Sequence, residues 1–346
     1  MLSTQLLSWY SENKRNLPWR GTKDPYKIWI SEIMLQQTQV ATVIPYYKKW
    51  MNSFPNIQVL AHTNYDDVLK HWEGLGYYSR CKNIHLTSKV LGKDFPDTFN
   101  ELIKLPGIGE YTAKMILAIA YNQTEVGIDT NLERIGFRLL GLKKKSKFNN
   151  NRVKNFLETI QDKSKPGDFN QALMDLGSNF CQAKAVNCGS CPITVYCKAA
   201  LTDSPLQYPE VKKNKPIPEI QVAVCVIIYK NKLLLIQRPE NKMLAGLWEF
   251  PGGKIESGEL TENAVIREIK EEINLSIKNV EYLGEVKHQY SHFKVIISLF
   301  SNTVNDISSL KIKENYIWTT MKGLDKFALP KANYKMLELF NKDISL

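Results

Sequence analysis

Leu105-Pro106-Gly107-Ile108-Gly109-Glu110-Tyr111-Thr112-Ala113 is the stretch around which the rest of the chain is organised. Two glycines and a proline within five residues make Leu-Pro-Gly-Ile-Gly a turn rather than helix. It lies between an apolar segment, Phe99 to Leu105, and the helical pattern Tyr111 to Tyr121. Glycines let a backbone come close to a partner, and a helix starting after them offers unpaired N–H groups at its positive end. A phosphate fits there without help from side chains. The same turn could also be a plain connector between two helices. Asp129, in Gly127-Ile128-Asp129-Thr130-Asn131, and four clustered cysteines further on weigh against that bland reading.

Outward from this turn, residues 1–201 read as helical. Apolar residues recur with helical period between breakers such as Asp24-Pro25, Phe54-Pro55 and Lys165-Pro166-Gly167. Residues 202–218 contain four prolines, lysines and little apolar content, the composition of a linker. After them the pattern changes. Val222 to Tyr229 and Lys232 to Gln237 read as strands split by a Lys230-Asn231 turn, followed by a helix over Leu260 to Ile273. Strands near Val280 to Val286 and Lys294 to Phe300 and a last helix over Lys331 to Phe340 complete a mixed α and β domain at 219–346. The fold class is thus an all-helical domain followed by an α/β domain.

With 346 residues, each domain is long enough to bury a core. The formal charge of +11 is unevenly spread, with an excess of nine positive charges in residues 1–201 and two in residues 202–346. A polyanion is expected to bind mainly to the first half. A basic protein kept soluble by its charge would show the same number. No apolar run approaches a membrane span and the start resembles no secretion signal, so the expected location is cytoplasmic. Six cysteines in a chain of this length point to metal rather than to a disulfide scaffold.

Glu32 lies in Ile28-Trp29-Ile30-Ser31-Glu32-Ile33-Met34-Leu35-Gln36-Gln37. On a helix its neighbours are Ile28, Trp29 and Leu35, which puts a carboxylate on an apolar stripe. Desolvation there raises its pKa, as a general acid working near neutral pH requires. Asp129 can equally be a helix-start residue, since Thr130-x-x-Glu133 reads as a capping box. The segment around Glu32, the glycine turn and Asp129 together resemble the helix-hairpin-helix DNA glycosylases, and most closely the MutY-type adenine DNA glycosylases.

That resemblance implies specific roles. Glu32 would protonate the adenine and then help water attack, while Asp129 would stabilise the positive charge that develops on the sugar. Asn131 would orient the carboxylates and water. Tyr111 stands where glycosylase-lyases of the superfamily carry a Schiff-base lysine, so hydrolysis without strand cleavage is implied. The base must leave the stack before it can be cut. Gln37 and Tyr77, in Gly74-Leu75-Gly76-Tyr77, would wedge or fill the gap, and Gly107 and Gly109 would grip the DNA backbone. Trp19, Arg20 and Gln171 would line the adenine pocket, where a glutamine can pair with N6 and N7.

Cys181-x6-Cys188-x2-Cys191-x5-Cys197 is a compact loop of four thiols. Zinc is the generic occupant of such a set. The spacing is similar to the 4Fe-4S loop of the endonuclease III and MutY superfamily, which implies an iron-sulfur cluster. Cys81 and Cys225 stand apart from it and read as buried apolar residues.

In the second domain Gly253-x5-Glu259-x7-Arg267-Glu268-x2-Glu271-Glu272-x-Asn274 is a Nudix box with Asn274 at the usual glycine. Asn tolerates the left-handed conformation required there. Glu268, Glu271 and Glu272 share a helical face, on which three carboxylates can hold Mg2+. Arg238 and Asn333 extend the resemblance to MutT-type pyrophosphohydrolases, with Asn333 as the purine-reading residue. Ile312 occupies the apparent place of a further carboxylate, with Glu314 nearby. His288-Gln289-Tyr290-Ser291-His292 is similar to the loop with which MutY-type enzymes read 8-oxoguanine.

The resemblance covers the chain from end to end. It implies a monofunctional adenine DNA glycosylase, a monomer acting in the bacterial cytoplasm on double-stranded DNA with A:8-oxoguanine or A:G mispairs. The alternatives are a protein whose Nudix domain also hydrolyses 8-oxo-dGTP, and a lesion-binding protein with a structural iron-sulfur loop. Retention of Glu32 and Asp129 argues against the last.

Overall fold

A computed structural model describes residues 1–210, 216–239, 242–290 and 293–344. Packing divides the chain into two units, Met1–His62 with Asn83–Lys213 and Thr63–Lys82 with Asn214–Leu346. The sequence-based limits at 201 and 219 do not anticipate that residues 63–82 pack with the second unit. Within 202–218, Pro205–Gln207 forms a 3-10 turn, and the Glu210 N–H donates to the Lys143 carbonyl at 2.8 Å. The start of that stretch is therefore held by the first unit.

Regular structure in the first unit is helical: α1 (Leu2–Asn13), α2 (Pro25–Leu35), α3 (Val40–Ser53) and α4 (Ile57–His62). Next come α5 (Tyr65–Trp72), which falls in the second unit, and α6 (Ser79–Leu91), which begins there. The helical unit continues with α7 (Phe99–Leu102), α8 (Glu110–Ala120), α9 (Thr130–Leu140), α10 (Lys147–Ile160) and α11 (Pro166–Asn179). Local chemistry sets several of these boundaries. Asp24 caps α2 through the N–H groups of Tyr26 and Lys27, with Pro25 at the first helical position. Asp129 caps α9, which ends on Gly141 in the left-handed conformation. The capping residue is thus Asp129 rather than Thr130, and Glu133 pairs with Lys145 instead of closing a box. None of the described helices is long and apolar enough to cross a membrane.

α2 is buried at Tyr26 and from Ile28 through Met34, Ser31 and Glu32 included, so a helix carrying a catalytic-type carboxylate runs through the core. The glycine turn enters α8 with Gly109 as the N-cap. Gly107 has φ +77, and a Cβ there would stand 2.6 Å from Asn83 Cβ, so only glycine fits. Around Gly109 nothing lies within 4 Å of the place a Cβ would take, which leaves that backbone open to an outside partner.

Among the described residues the second unit is built on a seven-stranded sheet with the path β3-β2-β1-β6-β5, β4 pairing β1 and β7 pairing β2. The strands are β1 (Glu219–Tyr229), β2 (Lys232–Gln237), β3 (Trp248–Glu249), β4 (Gly252–Lys254), β5 (Glu281–Gln289), β6 (Lys294–Thr303) and β7 (Tyr316–Thr319). β1 and β6 run parallel, the other pairs antiparallel. Lys230 and Asn231 both take positive φ and make the two-residue hairpin between β1 and β2. Strand alternation sends Ala223, Cys225 and Ile227 to a core with α12 (Thr261–Ile273), and Val224 and Val226 to a core with α13 (Lys331–Ile344). Asn274 caps α12 with φ +55, as the sequence predicts. The short strands β3, β4 and β7 were not legible, because two to four residues carry no detectable period.

Candidate active site

Glu32 is 7% exposed, and its Oε2 accepts a hydrogen bond from the Tyr111 hydroxyl at 2.6 Å. Burial pushes its pKa up to about 7, and the Asp129 charge adds to that rise, while Tyr111 and Arg20 oppose it. Tyr111 is itself held well above its ordinary value, first by burial and then by the Glu32 charge. At neutral pH this pair is a carboxyl group poised between its two states beside a phenol that stays protonated.

Asp129 Oδ1 accepts from the backbone N–H groups of Asn131 and Leu132, both at 2.8 Å, and Oδ2 accepts from Asn131 Nδ2 at 2.8 Å. Three donors fix this carboxylate at the start of α9. Burial raises its pKa and the hydrogen bonds counter it. Asn131 is held in turn by Arg134, whose Nη1 donates to Oδ1 at 3.0 Å. Tyr111 and Asp129 line one cavity of about 530 Å³ with Glu110, Thr130 and Lys154.

A second network lies within reach of Glu32 through Arg20. The Arg20 guanidinium donates to Asp175 at 3.0 Å and to the Tyr10 hydroxyl. Asp175 is fully buried and also takes Arg15 at 2.7 Å. Arginine cannot accept, so the Tyr10 hydroxyl accepts from it and donates onward to Gln171 Oε1 at 3.2 Å. That leaves the Gln171 amide nitrogen to donate elsewhere. Trp19 is buried edge-on against Tyr47, with ring centroids 5.3 Å apart. Tyr10, Asp175 and Arg134 carry no sequence signal of their own, since their partners sit far along the chain or beside unremarkable residues.

Gln37 and Tyr77 share a trait. Both are non-glycine residues in the left-handed region, at φ +55 and +48. Such backbone strain costs of order 1–3 kcal/mol per residue and collects at functional sites. Gln37 is exposed just beyond α2, and the Tyr77 ring lies 5.5 Å from the Arg80 guanidinium.

The four loop cysteines lie on one short segment, and Cys181, Cys191 and Cys197 pack against the α1–α9–α11 core. Burial pushes the Cys191 thiol up to about 11, with the other three thiols adding to it. Backbone N–H groups of Ile193, Ala199 and Ala200 point at Cys191 and Cys197, and Arg138 Nη1 donates to Cys181 Sγ at 3.1 Å. Four thiols on one segment, faced by N–H and guanidinium donors that favour thiolates, have the chemistry of a ligand set for a metal group. Cys81 and Cys225 are buried elsewhere.

In the second unit a cavity of about 1360 Å³ is lined by Glu249, Glu268, Glu272, Arg238, Tyr290 and Asn333. Glu272 accepts from the Gly252 N–H at 2.9 Å, and burial with nearby Glu249, Glu268 and Glu314 pushes its pKa up to about 7. Glu314 thus supplies negative charge where Ile312 does not, since Ile312 packs against the core beside α12. Arg267 engages Glu259, Glu268 and Glu271 together. Among the described residues no three His, Cys, Asp or Glu side chains converge tightly enough to hold a single metal ion. Asn333 Nδ2 is buried with no partner among the described residues, and His288 stacks edge-on against Tyr290 at 4.6 Å. Ser291 and His292 lie outside the described residues.

Residues 30–159 match the HhH-GPD superfamily of base excision DNA repair proteins, and residues 223–339 match the NUDIX domain. A relative named adenine DNA glycosylase in Buchnera aphidicola subsp. Baizongia pistaciae is 35% identical, over 97% of this chain and 96% of its own length. The Homo sapiens adenine DNA glycosylase is 31% identical over 97% of this chain and 73% of its own. Among solved structures, a thermostable thymine-DNA glycosylase aligns with a TM-score of 0.52 at 25% identity, over 57% of this chain and 93% of that one.

Proposed function

The chain belongs to the adenine DNA glycosylases, base excision repair enzymes of the HhH-GPD superfamily, and from that membership we propose how its residues divide the work. Glu32 is the general acid. Near neutral pH a substantial fraction of it carries the proton that a departing adenine needs. Once the base is gone the same carboxylate, now ionised, takes a proton from the attacking water. Asp129, held by three donors on one side, offers its charge to the electron-poor sugar carbon. Tyr111 positions Glu32 and has no amine for a Schiff base, so the reaction ends at base release.

Adenine is taken up beside Arg20 and Gln171, where the Arg20–Tyr10–Gln171 relay presents an amide donor to a ring nitrogen. Trp19 supports that wall from behind. Gly107 and Gly109 approach the phosphate backbone, and Gln37 and Tyr77 enter the duplex. In the second unit the Tyr290 end of the β5–β6 hairpin, with His288, Ser291 and His292, reads the partner 8-oxoguanine. The box glutamates there serve the fold: Glu272 ties down Gly252, and Arg267 gathers Glu259, Glu268 and Glu271.

Cys181, Cys188, Cys191 and Cys197 would hold a 4Fe-4S cluster, each thiolate binding one iron. The cluster would cross-link the 181–197 loop to itself, and Arg134 and Arg138 tie that loop to α9.

The observation that carries this reading is the buried Glu32–Tyr111 contact with Asp129 close enough to raise the Glu32 pKa. Single-turnover excision from an A:8-oxoguanine duplex tests it. Glu32→Gln is expected to lose ~10²–10⁴-fold in rate while still binding the duplex. A loss below tenfold would remove Glu32 from the acid's role.

A further inference from the structure

The loop that displays Tyr77 is tied by several hydrogen bonds of its own. Gly74 and Gly76 take φ +88 and +78, and Tyr77 follows at +48. Trp72 Nε1 donates to the Gly76 carbonyl at 3.0 Å, and the Gly74 N–H donates to the Tyr78 hydroxyl at 3.1 Å. Arg80 reaches back to the carbonyls of Leu75 and Gly76 at 3.3 and 3.1 Å, and its guanidinium lies over the rings of Trp72 and Tyr77. The Tyr77 side chain follows the backbone of this loop. Its position is set by whatever holds the loop.

Glu73, the residue that opens the loop, is fixed to residues 327–334. Its Oε1 accepts from the Leu329 N–H at 2.6 Å and from the Tyr334 hydroxyl. Its Oε2 pairs with Lys70 at 2.7 Å, and Lys70 donates to the Phe327 carbonyl at 2.9 Å. α5 adds a hydrogen bond from Gln237 to Asp66 at 3.3 Å, and its Tyr65 and Leu69 side chains lie 3.4 and 3.5 Å from where a Cβ on Gly246 would stand. The 327–334 segment is itself anchored. The Trp248 N–H donates to the Ala328 carbonyl at 2.9 Å, and Phe327 meets the Trp248 ring at 5.3 Å. Tyr290 packs against the core cluster that includes Leu329 and Ala332 of this segment.

We propose that Glu73 is a positioning residue that latches the Tyr77 loop to the 327–334 segment, which also holds Tyr290. One short piece of chain thereby sets both the side chain that enters the duplex and the side chain that reads the lesion. The physical reason lies in the donors. A carboxylate with a backbone N–H and a phenol on one oxygen and an ammonium on the other makes charge-assisted bonds that outlast thermal fraying of a glycine loop. The consequence is that 8-oxoguanine, by engaging the Tyr290 end, favours the arrangement in which Tyr77 is correctly placed. This rests on the reading above that Tyr77 enters the duplex and Tyr290 meets the lesion.

The test compares single-turnover excision from A:8-oxoguanine and A:G duplexes at subsaturating full-length enzyme. Glu73→Leu keeps the bulk and removes the acceptors. It is expected to slow the A:8-oxoguanine reaction about tenfold and the A:G reaction less than threefold, lowering the preference. Glu73→Gln retains a neutral acceptor for Leu329 and Tyr334 and should restore most of it. Tyr334→Phe, at a side chain partly open to solvent, should cost about threefold in preference without endangering the fold. Equal slowing on both duplexes in Glu73→Leu and Tyr334→Phe would overturn the latch, because a merely weakened fold slows both alike. Tyr77→Ala separates the two levels. If it leaves rate and preference intact, the duplex-entry reading fails. If it abolishes the preference while Glu73→Leu leaves it unchanged, that reading stands and the latch falls.

Discussion

Arg134 donates through Nε to the Cys181 carbonyl at 2.9 Å and through Nη1 to Asn131 Oδ1 at 3.0 Å, so a single guanidinium joins the cysteine loop to the residue that orients Asp129. Asn131 Nδ2 completes the path to Asp129 Oδ2. Arg134→Gln should therefore slow excision by about 10- to 100-fold while duplex affinity changes less than threefold, the pattern of a positioning group lost from the reacting centre. Cys181→Ser is expected to act in the same direction, with a lower iron content as well. Single-turnover rates and titration of the duplex measure the two effects separately. A loss confined to duplex affinity would show that the guanidinium holds the loop and leaves Asp129 alone.

The rate of excision should fall as pH rises through about 7, where Glu32 gives up its proton. The hydrogen bond from Tyr111 favours the ionised form of Glu32, so removing it in Tyr111→Phe leaves the pKa higher. The alkaline limb of the pH–rate profile then moves upward even as the maximal rate declines. A downward or unmoved limb would mean that another group controls it.

Stability carries the same signature with a definite sign. Glu32 binds its proton more tightly folded than unfolded, with a pKa of about 7 against an ordinary 4.5. Below pH 4.5 both states hold the proton and nothing is lost. Between 4.5 and 7 only the unfolded chain ionises, so stability falls with rising pH, by up to about 3 kcal/mol in total. Glu32→Gln removes that cost, and its melting temperature should exceed wild type at pH 8 while matching it near pH 4.

Tyr111→Lys places an amine beside Glu32 and Asp129. Some strand cleavage and a borohydride-trapped adduct with the sugar are expected. A variant that still releases adenine but forms no adduct would place Tyr111 out of reach of the sugar carbon.

The two hairpin glycines should separate fold from binding. Gly107→Ala meets both a left-handed backbone and Asn83, and is expected to lower stability by about 1–3 kcal/mol. Gly109→Ala has open space at a helix N-cap, so its stability should change little while duplex affinity drops severalfold and the salt dependence of binding becomes shallower.

Local pattern and composition were enough to separate a helical half from a half with a sheet, to put Glu32 on an apolar helix face and Asn274 at a helix end. Those features depend on neighbours within a few residues, which the chain states directly. The spacing of the four cysteines belongs to the same class. Tertiary structure decided the rest. Tyr10 and Gln171 meet across 161 positions, Arg15 and Asp175 across 160, and Glu73 and Tyr334 across 261. No periodicity encodes such pairings, because they exist only after the cores have closed and brought distant segments side by side. The assignment of residues 63–82 to the second unit was hidden for the same reason. A helix in a helical stretch looks alike whichever core buries it, and which one does is settled by the fit of side chains from distant segments.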